Sequence, residues 1–305
     1  MKTTILLNNG QKIPTLGLGT WMSKPGLVGK AVEYALLQAN YRHIDCAAAY
    51  ENEKEIGEAL TTSFKKVKRS EVFITSKLWN TNHRSQDIVK ACKQTLLDLH
   101  LDYLDLYLMH WGIAFRPGKD VAPKDQNGRI ILEPVSIKET WTGMEELVKQ
   151  GLVKSIGVAN FNTLMLVDLL TYIKIKPVMN QIELHPYNTQ TELIEFCKYN
   201  AINVTAYSPL GRQGENTQGP KLFDEPLIQQ LAKKYKKSLS QILLSWAISR
   251  GTIAIPKSTT LERISENGNI YDFEMNKEEV DILSSLNKNI RFVNPYQDWG
   301  IPCFS

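Results

Sequence analysis

The 305-residue chain has little that would tie it to a membrane, a nucleic acid or an oxidising compartment. No apolar run approaches the ~20 residues of a membrane-spanning helix, and the opening Met1-Lys2-Thr3-Thr4-Ile5-Leu6-Leu7 is too short for a secretory signal. Charge of one sign is scarce. The 36 basic and 32 acidic residues leave a formal +4, too weak for a reader of nucleic-acid grooves. The clusters Lys65-Lys66-Val67-Lys68-Arg69 and Lys233-Lys234-Tyr235-Lys236-Lys237 fall near predicted helix ends, where solvated cations favour the helix dipole. Cysteine is sparse, and the four residues Cys46, Cys92, Cys197 and Cys303 form no CxxC pair. That excludes a disulfide framework and a zinc knuckle, and leaves reduced core thiols with Cys303 the accessible one. Cys303 stands one position short of a prenylation box. A cytoplasmic home is expected. A full dinucleotide fingerprint is also missing: after Gly17-Leu18-Gly19, Met22 takes the place of the third glycine and no helix opens there, so a strand-end turn is expected.

The hydrophobic content of 43% is enough for a full core. Ile5 to Pro14 carries the Asn9-Gly10 signal of a β-hairpin. Strand patterns then start near Thr15, His43, Val72, Leu104, Val153, Pro177, Asn203 and Ile253. Helical patterns between them start near Leu27, Asn52, Gln86, Val135, Thr163, Thr191 and Glu225, and a last one runs from Leu261 to Ile270. This alternation predicts an α/β chain folded as a (β/α)8 TIM barrel, with no linker to divide residues 1–305 into domains. Two extra helices are predicted at Ser240–Ser249 and Lys277–Leu286. The long segments Gly112–Pro134 and Gly211–Asp224 both follow strands, on the face where barrel enzymes keep their chemistry. The tail from Ile290 to Ser305, with Phe292, Tyr296, Trp299 and Phe304, is too aromatic to be disordered.

The chemistry concentrates at strand ends. Asp45 and Tyr50, then Lys77, then His110 close three successive apolar runs, so parallel strands bring an acid, a phenol, an ammonium and an imidazole to one rim. A buried Lys77 requires a partner, and Asp45 is the natural one. A second candidate is an anion site where Ile255-Pro256-Lys257-Ser258-Thr259-Thr260 leads into a helix start, with Arg263 within reach; an ordinary Ser/Thr N-cap is the alternative. His185, beside Pro186 and with no second ligand at helical spacing, reads as a structural histidine, and no metal site is expected.

These residues, together with Tyr41-Arg42-His43-Ile44-Asp45-Cys46-Ala47, Glu51-Asn52-Glu53, Thr75-Ser76-Lys77-Leu78-Trp79 and Ser155-Ile156-Gly157-Val158-Ala159-Asn160-Phe161, resemble the aldo-keto reductases of the aldose reductase type. The ending from Arg291 to Pro302 is similar to that of microbial xylose reductases. The resemblance implies NADPH-dependent reduction of aldehydes, aldoses included, with Tyr50 as proton donor, Lys77 lowering the phenol's pKa, Asp45 holding Lys77, and His110 orienting the carbonyl. It implies that Tyr207 stacks on the nicotinamide, that Asn160 and Gln181 hold its carboxamide, and that Ser208 and Leu210 lie along the pyrophosphate. Lys257, Ser258, Thr259 and Arg263 would take the 2′-phosphate end, Glu266 and Asn267 would face the adenine, and Gly19, Thr20 and Trp21 would line the cleft. Trp21, Trp79, Trp111, Phe115 and Trp299 would surround the substrate with Tyr50 and His110. The family implies a monomer, and the xylose-reductase-like tail leaves a dimer open.

Several positions depart from the family pattern. Ala159 in place of serine would weaken the cofactor grip, and Gly112 in place of proline would loosen the start of the long loop. Asn40 tolerates the left-handed conformation expected before Tyr41. Ala49 and Val293 remove polar groups that pentose recognition uses, which favours apolar or aromatic aldehydes. The rival readings are a cofactor-binding regulatory or structural subunit with little turnover, and a metal-dependent barrel hydrolase, for which the ligands are missing.

Overall fold

The computed structural model describes residues 1–212 and 219–304. An antiparallel hairpin opens the chain, with β1 (Thr4–Leu6) paired to β2 (Lys12–Pro14) across a turn at Asn8, Asn9 and Gly10. Eight parallel strands follow: β3 (Leu18–Gly19), β4 (His43–Asp45), β5 (Phe73–Leu78), β6 (Leu106–Met109), β7 (Ile156–Ala159), β8 (Met179–Glu183), β9 (Asn203–Tyr207) and β10 (Ile253–Ala254). Each pairs with the next. The last returns to the first segment, Leu16 pairing with Ala254 and Gly19 with Lys257, and this closes the TIM barrel.

The helices are α1 (Val28–Leu37), α2 (Glu53–Ser63), α3 (Ser85–Asp98), α4 (Ile137–Lys149), α5 (Thr163–Leu170), α6 (Thr191–Tyr199), α7 (Pro226–Tyr235), α8 (Leu239–Ser249), α9 (Leu261–Gly268), α10 (Lys277–Ser284) and α11 (Pro295–Trp299). Of these, α8 and α10 are the two extra helices expected from the sequence. The short α11 was not expected, although its signals are present: Asn294 accepts from the Tyr296 N–H, and Pro295 takes the first position. The segment Gly17-Leu18-Gly19 is not a turn. It runs into β3 itself, and a Cβ at Gly19 would stand 2.8 Å from the Ile255 carbonyl oxygen, so glycine there permits close strand approach at the closing seam. The segment 211–224 falls partly outside the described residues, which omit 213–218.

Every position of β5 is buried, because one face meets the helices and the other the barrel interior. Ile74 and Leu78 join the large core between sheet and helices. Phe73 joins the smaller interior core with Leu106, Leu108, Met179 and Ile253, which Leu7 and Ile13 of the hairpin strengthen. Inward-facing positions therefore change character along each strand. Phe73 gives way to Thr75 and Lys77, Leu106 and Leu108 to His110, and Met179 to Gln181 and Glu183. The barrel is apolar at its N-terminal end and polar at its C-terminal rim, and that gradient locates the site.

At Gly112 a Cβ would stand 2.2 Å from Met165 Cε and 3.2 Å from the Phe161 ring, so α5 and the residues before it pack closely against the start of the long loop. The loop beyond is also ordered by pairing of Phe115 with Leu132 and Lys124 with Ile130. Asn40 adopts φ +56°, as expected. In the basic clusters Lys234 pairs with Glu279, Lys237 with Asp272 and Arg69 with Asp105, while Lys65, Lys66 and Lys68 stand exposed to solvent.

Glu53, at the start of α2, is a buried carboxyl that accepts from Ser76 Oγ at 2.5 Å. Burial lifts its pKa from 4.5 to about 7, against the hydrogen bond from Ser76. The folded state therefore favours the protonated form, and that contribution is lost as pH rises from the unfolded value through the folded one. Glu53→Gln keeps an acceptor for Ser76 without a charge. Between about pH 5 and about pH 8 the wild type should lose about 1–3 kcal/mol of unfolding free energy relative to the variant. Urea denaturation at both pH values checks this; parallel pH dependences would contradict it.

Candidate active site

At the polar rim, Lys77 is fully buried, and its Nζ lies 2.5 Å from Asp45 Oδ1, 2.8 Å from the Cys46 carbonyl oxygen and 3.3 Å from Tyr50 Oη. Strand register makes this meeting inevitable: β4 pairs Asp45 with Thr75, so Lys77 stands one inward position beyond Asp45 on the neighbouring strand. A short helical turn, Ala48–Tyr50, then brings the phenol back over the ammonium. Asp45 is braced in turn. Gln181 Nε2 donates to Oδ2 at 2.7 Å, and Thr20 Oγ1 donates to the Asp45 carbonyl at 2.8 Å, while Asn52 holds the Thr20 carbonyl at 3.0 Å.

The electrostatics follow from burial and pairing. Desolvation opposes the charge on Lys77, but Asp45 and Tyr50 together outweigh it and hold the ammonium above its ordinary range. Tyr50 was expected to have a depressed pKa beside Lys77. Its pKa is instead raised above 10, because burial dominates and the Lys77 charge only partly offsets it. Burial, with help from Lys77 and His83, drives His110 well below 6.5, so this imidazole is neutral near pH 7. Its ring lies 5.8 Å from that of Tyr50 and 5.1 Å from that of Trp79.

An aromatic wall stands over this group. Trp299 from the tail packs 5.0 Å from both Trp111 and Phe115 and 6.1 Å from Trp79, and Phe304 lies 5.8 Å from Trp111. The aromatic tail thus folds back onto the barrel mouth. Trp79 Nε1 donates to the Val121 carbonyl at 2.7 Å, which pins the long loop to the same wall. The expected substrate residues differ in exposure. His110, Trp111 and Phe115 are buried, while Trp21 is exposed and lies under the Arg212 guanidinium at 4.9 Å.

The residues expected to hold the cofactor are distributed unevenly. Tyr207 is half-buried, and its hydroxyl donates to Asn160 Oδ1 at 2.7 Å, while Asn160 Nδ2 donates to the His110 carbonyl at 3.0 Å. Asn160 and Gln181 therefore already serve the chain's own network, a use that side-chain type alone does not disclose. Thr20 is buried and acts as a brace, not as an exposed wall. Ala159 sits in the interior core, where a methyl packs well. Ser208 and Leu210 follow β9, half-buried. At the barrel seam Lys257 and Arg263 are exposed, and Thr259 is half-buried. The N-cap alternative fails, because Thr260 occupies the cap of α9 with no side-chain cap bond, while Ser258 Oγ accepts from the Thr260 N–H. Glu266 is exposed, and Asn267 is buried with an Oδ1 that has no partner among the described residues.

Residues that sequence reasoning missed are braces. The Cys46 carbonyl carries no side-chain signal, and Asn52 is visible only as part of a motif. Glu183, fully buried, binds the tail. His185 is structural as expected, with Nε2 2.9 Å from Glu183 Oε1. No cluster of three or more His, Cys, Asp or Glu suited to a metal occurs among the described residues.

Fold and site together define a barrel oxidoreductase. The Aldo/keto reductase family model matches residues 15–288, and the chain belongs to that family. It is 49% identical to aldo-keto reductase family 1 member A1 of Gallus gallus, over 95% of this chain and 90% of that one. It is 50% identical to aldose reductase C of Dictyostelium discoideum, over 98% and 94%. Among solved structures it is similar to the aldose reductase from Schistosoma japonicum, with a TM-score of 0.93, 43% identity and coverage of 99% and 97%. It is also similar to a Bombyx mori aldo-keto reductase in complex with NADP, with a TM-score of 0.87, 39% identity and 97% coverage of both chains.

Asp45→Asn removes the charge partner of a buried ammonium and should cost about 3–5 kcal/mol, while adding Lys77→Met to it should recover a good part of the loss. Urea denaturation of the single and double variants measures both; a single variant as stable as wild type would contradict the pairing.

Proposed function

We propose that this chain reduces aldehydes, aldoses included, to alcohols with NADPH, and that Tyr50 is the proton donor. The observation that carries this reading is Lys77 Nζ lying 3.3 Å from Tyr50 Oη while ion-paired at 2.5 Å to Asp45. A phenol is a weak acid, but it yields a proton readily when a fixed ammonium waits to stabilise the phenolate. Tyr50 thus stays protonated until the carbonyl oxygen gains charge, and the Lys77 ammonium stabilises the negative charge then left on Tyr50 Oη. Neutral His110 orients the carbonyl oxygen toward Tyr50 Oη.

The residues present fit NADPH. Exposed Lys257 and Arg263 beside the uncapped start of α9 suit a phosphate, and the unpartnered Oδ1 of buried Asn267 suits an amino group. Half-buried Tyr207 offers a ring face for the nicotinamide. When bound, NADPH supplies the hydride. The aromatic wall, with Ala49 and Val293 adding no polar group, supports a preference for apolar or aromatic aldehydes over pentoses. The Bombyx mori relative's NADP complex and the aldose reductase names of other relatives agree with this reading. Four unpaired cysteines fit a cytoplasmic location, and the tail's return onto the barrel supports one unit over residues 1–305.

The test is NADPH oxidation, with NADH in parallel, on benzaldehyde-like, short-chain and pentose substrates. Tyr50→Phe should lose at least about a hundredfold in turnover and still bind NADPH. Because Tyr50 sits above its ordinary pKa and His110 far below its own, reduction should show no loss to either group from about pH 6 to about pH 9. Full activity in the variant, or a falling limb near neutrality, would count against Tyr50 as donor.

A further inference from the structure

We infer that Glu183 is the positioning residue of the substrate pocket: its carboxylate fixes the path of the C-terminal segment and so sets where Trp299 stands. This rests on the reading of the site as an aldehyde pocket. Glu183 ends β8, two residues beyond Gln181 and on the same face, and its side chain is fully buried. Its Oε1 accepts the Phe292 N–H at 2.6 Å, and its Oε2 accepts the Val293 N–H at 3.0 Å. A carboxylate whose two oxygens hold two consecutive backbone N–H groups fixes both the place and the orientation of that stretch. His185 Nε2 lies 2.9 Å from Oε1 and keeps the carboxylate from turning. Arg212 holds the opposite side of the same peptide unit, donating to the Phe292 carbonyl at 2.9 Å.

A buried carboxylate is expensive unless it is fully hydrogen-bonded, and this one satisfies itself on the tail. It makes no hydrogen bond to Tyr50, Lys77, Asp45 or His110 among the described residues. The bound stretch is the last fixed point before α11, and from there the chain carries Trp299 onto Trp111 and Phe115. A shift of the anchor moves the aromatic wall and leaves the proton-donating group in place.

Glu183→Gln keeps the shape but turns one oxygen into an N–H donor facing a backbone N–H, so one of the two tail bonds is lost. For an aromatic aldehyde that reaches Trp299, KM should rise about tenfold, with kcat and the KM for NADPH unchanged. A short aldehyde should be turned over as by wild type. Trp299→Ala should show the same loss, and the double variant no more than Trp299→Ala alone. Val293→Pro deletes one donor from the tail side, leaves the barrel sequence intact, and should reproduce the effect if Glu183→Gln does not fold. Independently of activity, amide exchange over residues 292–304 should quicken about tenfold in the variant, with α3 and α4 unchanged. Equal losses for short and aromatic aldehydes, additivity with Trp299→Ala, or unaltered exchange in the tail would each overturn the inference. Wild type inactive on every aldehyde, with tail exchange still quickened by Glu183→Gln, would instead refute the functional reading and leave the anchor standing.

Discussion

The structure depends on one buried ion pair. Lys77 carries a full charge into the end of a strand whose every residue is buried, and Asp45, helped by the Cys46 carbonyl and Tyr50, makes that tolerable. The requirement spreads outward through hydrogen bonds. Asp45 needs Gln181 from β8 and Thr20 after β3, and Thr20 needs Asn52 at the head of α2. Four strands are thereby locked in register at the rim, and the same lock holds an ammonium beneath a phenol. Stability and chemistry are in conflict at this point, because an apolar pair of equal volume would pack at least as well. What the charge adds is a fixed positive centre where an apolar core would offer none.

Around that centre the molecule separates two tasks. The barrel supplies Asp45, Lys77 and His110 from strand ends, where geometry is set by the closed sheet, and Tyr50 from the short turn after β4. The pocket wall comes from elements added to the barrel: the loop after β6, pinned through Trp79, and the tail, pinned through Glu183. Trp299 joins both additions to the rim through contacts with Trp79, Trp111 and Phe115. A wall built this way changes when the additions change, with Tyr50, Lys77 and Asp45 left alone.

Much of this was legible in the sequence, for identifiable reasons. A lysine or an aspartate that ends an apolar run marks a strand terminus, because a charge is tolerated there only at a rim. The alternating helix and strand periods gave the barrel, with most element starts within two or three residues. Other features depend on three-dimensional burial and were not legible. The pull of Lys77 on Tyr50 is evident from residue types, but burial is stronger and reverses the net direction. Asn160 and Gln181 look free for a ligand until their partners Tyr207, His110 and Asp45 are seen. Gly17-Leu18-Gly19 looks like a turn until its contact with the closing strand shows why glycine is needed.

The central claim is that Lys77 acts on Tyr50 through its charge. Titrating Tyr50 by NMR of ¹³Cζ-labelled tyrosine, in the wild type and in Lys77→Met, tests it most directly. Loss of the ammonium should raise the Tyr50 pKa further, by about one unit or more, since burial would then act unopposed. An unchanged or lowered pKa would mean that the 3.3 Å contact carries no electrostatic weight, and the account of proton donation would fail.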